Sequence, residues 1–104
     1  MRLQTSEINA IKSITKQIFG EGSRVILFGS RVYDNVKGGD IDLYLQTPDD
    51  SAAAEKKIKY LVALKSTLGD QKIDVIISKD RFRPIEQEAI KNGIELWAWQ
   101  TIHI

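Results

Sequence analysis

Residues 28–45 read FGSRVYDNVKGGDIDLYL. The stretch joins a Gly-Ser pair to an Asp-Ile-Asp triplet across nine residues, and the triplet sits at the head of an apolar run. In a β-strand side chains alternate faces, so Asp40 and Asp42 point one way while Ile41 and Leu43 point into the opposite layer. Two carboxylates one residue apart repel each other and cost desolvation where they are partly buried. A cation between them offsets that cost, and hard divalent ions such as Mg²⁺ prefer carboxylate oxygens.

Working outward, residues 24–28 (RVILF) form a short run of β-formers that Gly29-Ser30 breaks. Residues 31–36 are expected to form a helical turn, closed by Gly38-Gly39. Asp40 to Gln46 alternates polar and apolar residues and predicts a second strand. Upstream, Ile8, Ile11, Ile14 and Ile18 fall at helical spacing over residues 5–19, with Thr5 or Ser6 as the cap and Gly20 and Gly22 as the stop. Downstream, Pro48-Asp49-Asp50-Ser51 turns into a helix over residues 52–68 that Gly69 ends. Residues 72–78 (KIDVIIS) predict a third strand. Pro84 opens a helix through Lys91, Asn92-Gly93 closes it, and IELWAW predicts a last strand. The order is that of an α/β domain: a small mixed sheet of about four strands flanked by helices.

The third strand contains one acid, Asp74, among apolar neighbours. Were the second and third strands adjacent, Asp74 would join Asp40 and Asp42, and three carboxylates from two strands suffice for two metal ions about 3.5–4 Å apart, the arrangement of in-line phosphoryl displacement. Gly29 lets backbone approach a phosphate closely, the free N–H groups of the turn can hold an anion, Ser30 adds a hydroxyl donor and Arg31 a charge. An anion cradle beside a metal cage fits a nucleoside triphosphate with Mg²⁺.

The remaining composition bounds the reading. The chain has 104 residues, which fits a single domain spanning 1–104, and at 42% hydrophobic it can build one core. A formal net charge of +1 creates no bulk field towards nucleic acid or membranes. The chain has no cysteine, which excludes disulfides and thiolate metal sites and suits a reducing cytoplasm. Its N-terminal residues lack the apolar core of a signal peptide, and no apolar run approaches the roughly 20 residues of a membrane span, so a soluble, cytoplasmic protein is expected.

Gly29-Ser30, nine residues, then Asp40-Ile41-Asp42-Leu43 resembles the signature of the DNA polymerase β-type nucleotidyltransferase superfamily, and above all its minimal nucleotidyltransferase (MNT) domains. The resemblance runs from VILFGSR through KIDVII to PIEQEAIKNGIEL. Many relatives have ten residues between Ser and the first Asp, often with a serine before that Asp; this chain has nine, with Gly38-Gly39 in that place. The resemblance implies that Asp40, Asp42 and Asp74 are catalytic and hold Mg²⁺, that Gly29, Ser30 and Arg31 bind the nucleotide, and that a nucleoside monophosphate, AMP from ATP, passes to an acceptor. It further implies a HEPN-type toxin as partner, with this chain as the antitoxin that modifies a tyrosine of it. A binding module that neutralises a partner by contact is the alternative from another class, and transfer to RNA or to a small molecule is a third.

Other residues are read more plainly. Trp97 and Trp99 share a face if IELWAW is a strand and suit core packing, with a partner patch as the alternative. His103 reads as exposed and idle. Lys56, Lys57, Lys59 and Lys65 read as a solvated helix face rather than a nucleic-acid surface, because no aromatic stacking set accompanies them. Tyr33, Asp34 and Lys72 are as consistent with a solvated turn or strand end as with nucleotide contact.

Overall fold

The structure is a computed structural model and describes residues 3–29, 40–48, 51–69 and 71–96. Its elements follow the expected order: α1 (Thr5–Phe19), β1 (Arg24–Phe28), β2 (Ile41–Gln46), α2 (Ala53–Leu68), β3 (Ile73–Ile77), α3 (Pro84–Asn92) and β4 (Ile94–Glu95). The sheet runs β3-β2-β1-β4. β1 pairs antiparallel with β2 and β4, whereas β2 pairs parallel with β3. Parallel neighbours need a long crossover, and α2 supplies it.

Period-two alternation divides the core between the two faces of this sheet. Val25 and Leu27 of β1, Ile41, Leu43 and Leu45 of β2, and Ile73 and Val75 of β3 share one cluster with Ile8 and Ile11 of α1 and Tyr60 and Leu64 of α2. The two helices also meet directly: the Phe19 and Tyr60 rings stack edge-on with centroids 5.3 Å apart, and the Thr15 and Tyr60 hydroxyls share a 2.7 Å hydrogen bond. On the other face Ile26, Phe28, Tyr44 and Ile76 pack against Ala89 of α3.

Two details differ from the sequence reading. The cap of α1 is Gln4 rather than Thr5 or Ser6, and its backbone N–H donates to Glu7 Oε1 at 2.9 Å. Thr5 is thereby drawn into the first turn, because a carboxylate three residues on satisfies the free N–H as a capping box does. The last strand is two residues long where six were expected. The chain reaches it through Gly93, where a Cβ would strike Ile26 and the Ala89 carbonyl, so only glycine permits this close return onto β1. Trp97, Trp99, His103 and the expected helical turn at 31–36 lie outside the described residues.

Candidate active site

The register of β2 and β3 decides the geometry. Asp42 is paired with Asp74 across the parallel ladder, so both side chains leave the same face of the sheet. Asp40 precedes Asp42 by two residues and shares that face. Each of the three carboxylates offers an oxygen within 4.8 Å of the others. The face is the one α3 covers, and the acids sit where β2 and β3 begin, beyond the apolar cluster of Ile26, Phe28, Tyr44 and Ile76.

β1 runs antiparallel, so its C-terminal end arrives at the same place: Phe28 pairs with Asp42, and Gly29 follows. Gly29 has φ +75°, and a Cβ there would collide with the Asp42 carboxylate. The glycine therefore does two things at once, turning the chain with a left-handed angle and leaving room for the acid. Ser30 and Arg31, the other two residues expected to bind nucleotide, lie outside the described residues.

The acids are only partly compensated by protein. Lys72 Nζ lies 3.6 Å from Asp40 Oδ2, but the lysine side chain is 71% exposed, so water screens the pair. Burial pushes the Asp42 carboxyl above its ordinary range, and the charges of Asp74 and Asp40 push it further, against a weaker opposing effect of Lys72. The donor set fits Mg²⁺: all three ligands are hard oxygens. Oxygens on one Mg²⁺ lie up to about 4.2 Å apart at bond lengths near 2.1 Å, so small side-chain rotations close a 4.8 Å spread.

One polar cluster escaped the sequence reading. Glu86 of α3 is fully buried. Its carboxylate accepts from the Tyr44 hydroxyl (2.7 Å), the Ser78 hydroxyl (2.8 Å), the backbone N–H of Asp80 (2.9 Å) and Arg83 Nε (2.7 Å). Burial raises its pKa, but these donors together outweigh that and hold it at about 2. No motif marks it: α3 turns Glu86 and Ala89 inward and leaves Ile85 and Ile90 exposed, the reverse of what hydropathy suggests. The only sequence signal was alternation along β2, which puts Tyr44 on the Asp42 face.

The family model described as "Polymerase beta, Nucleotidyltransferase" matches residues 7–101, a span that contains the glycine turn and all three acids. The chain belongs to this family. Among curated proteins, none matches it. Membership implies a nucleoside triphosphate substrate, and the family usually employs Mg²⁺, with which the aspartate trio is compatible. Among the described residues no helix is long and apolar enough to cross a membrane.

Proposed function

We propose that the chain is a single minimal nucleotidyltransferase domain that moves AMP from ATP to a tyrosine of a HEPN-type toxin and so acts in the cytoplasm as its antitoxin. The observation that carries the transferase reading is the convergence of Asp40, Asp42 and Asp74 beside Gly29. A cluster that raises the Asp42 pKa is a cost to an empty protein, and a binder by contact has no use for it. The protein acceptor and the HEPN partner rest on the likeness to minimal domains of this kind.

In this reading Asp40, Asp42 and Asp74 hold Mg²⁺, and Gly29, Ser30 and Arg31 hold the triphosphate. Bound Mg²⁺ supplies charge neutralisation on the phosphates and a lowered pKa for the attacking hydroxyl. Asp74, the most exposed of the three, faces the acceptor and receives the hydroxyl proton. The acceptor oxygen then forms a bond to the α-phosphorus, the bond to the bridging oxygen of the β-phosphate breaks, and pyrophosphate leaves with that electron pair.

The test is incubation of the purified chain with ATP, Mg²⁺ and a HEPN-type partner, read by intact mass. One adenylyl group should appear on a partner tyrosine, and Asp42→Asn should remove the signal. An unmodified partner that is still neutralised would replace the transferase with a contact inhibitor.

A further inference from the structure

β3 is the last strand on its side of the sheet, and among the described residues nothing pairs with its outer edge. Its inward bonds are fixed at both ends: the Ile41 N–H donates to the Lys72 carbonyl at 2.9 Å, and the Ser78 N–H donates to the Leu45 carbonyl at 2.8 Å. Parallel alternation then gives Lys72, Asp74, Ile76 and Ser78 to β2 and turns the N–H and C=O groups of Ile73, Val75 and Ile77 outward. An open row of this kind is a template for another strand.

Two clefts that share Lys57 border the edge. A cleft of about 560 Å³ reaches from Asp42 and Asp74 across β3 to Lys57 and Leu61 of α2, with Ile76 and Ile85 on its other wall. A second, of about 400 Å³, takes over at Lys57 and follows α2 to Ile77 and Lys79. Together they border β3 from the carboxylates to its far end, a length of about 16 Å for five residues. Ile58 and Val62, which follow Lys57 and Leu61 in α2, are exposed.

We infer that this edge binds an extended, acid-flanked segment of the acceptor protein as a fifth strand, which sets the acceptor hydroxyl beside Asp74. The inference rests on the transferase reading for the identity of the site but not for the pairing itself. Directly opposed residues on neighbouring strands share a face, with Cβ atoms about 5 Å apart. The residue opposite Asp74 therefore projects towards the carboxylates and past the apolar wall of Ile76 and Ile85, which suits a side chain with an apolar body and a hydroxyl tip. Charge selects the flanks. Lys57, Lys72 and Lys79 ring the edge, and no described residue forms an ion pair with Lys57 or Lys79. A second copy of this chain would bring an edge with the same lysines at both ends, so it is the poorer occupant and an acidic segment the better one.

The test uses the full chain and a synthetic heptapeptide of alternating valines with a central tyrosine and glutamates at both ends. Binding is read without ATP, from the amide resonances of Ile73, Val75 and Ile77, while ATP–Mg²⁺ binding is read without peptide by calorimetry. N-methylation of those peptide amides that face β3 should weaken binding by at least about tenfold, and N-methylation of the alternate amides should leave it unchanged. Val75→Pro removes one outward donor and should weaken binding likewise. Lys57→Glu with Lys79→Glu, on the surface, should reverse the preference from glutamate-flanked to lysine-flanked peptide without altering the melting curve. Equal binding of both N-methylated series, no binding at millimolar peptide, edge amides already protected in a dimer, or displacement of the peptide by an RNA oligonucleotide would each overturn the docking. Peptide binding in a protein that takes up no ATP–Mg²⁺ would overturn the transferase reading and leave the docking standing.

Discussion

Asp42 carries two opposed demands. In the empty protein its charge is unwelcome: it is partly buried, Asp74 and Asp40 stand beside it, and Gly29 approaches so closely that no side chain fits between. In the proposed reaction the same charge is what grips the cation. Stability and activity are therefore expected to separate at this residue. A carboxyl whose folded pKa is raised stabilises the fold below its ordinary pKa and loses that contribution as pH rises through the folded value. At neutral pH Asp42→Asn should thus melt higher than the wild type while losing transferase activity. The gap in melting temperature should narrow as the pH is lowered through the carboxylate range. Calorimetric melts at pH 7 and pH 4, beside an activity assay, check both halves, and a destabilised Asn variant at pH 7 would contradict the strain.

At the scale of elements, α3 is attached less by its apolar surface than by one acid. Only Glu86 and Ala89 of its nine residues are buried, so the helix offers little area for hydrophobic burial. Glu86 instead gathers Tyr44 from β2 with Ser78, Asp80 and Arg83 from the segment after β3. That network fixes the segment entering α3, and with it the Ile85 wall of the cleft beside Asp74. Glu86→Gln keeps the shape and removes the charge that these donors serve, so a loss of about 2–3 kcal/mol is expected near neutral pH. Because the folded pKa is depressed from 4.5 to about 2, the wild-type contribution is complete above the ordinary value and disappears as the pH falls through the folded one. Denaturant titrations should show the variant converging on the wild type between those limits. A pH-independent difference would mean that Glu86 holds α3 by packing alone.

Over the whole molecule, the legible parts were those written in periodicity. The isoleucines of α1, the alternation of IDLYLQ and the lone acid of KIDVII gave the elements to within a residue or two, because each pattern reflects a face that must be buried. The neighbour relation of β2 and β3 was only conditional in the sequence, since pairing is a matter of topology, and the in-register Asp42–Asp74 pair is what brought the trio together. Glu86 stayed hidden because its role depends on donors from β2 and from the segment after β3, and the open edge of β3 because strand order is not a local property. The trio couples these scales: its acids come from two strands joined by α2, so a cation held among them ties the crossover shut and binds the folded chain alone. Mg²⁺ should accordingly raise the melting temperature of the wild type, by the equivalent of about 2.7 kcal/mol at a concentration one hundred times its dissociation constant. EDTA should return the melt to the metal-free value, and Asp42→Asn should respond to neither. If Mg²⁺ shifted the Asn variant as much as the wild type, the cation would be binding elsewhere, and Asp40, Asp42 and Asp74 would lose their claim to it.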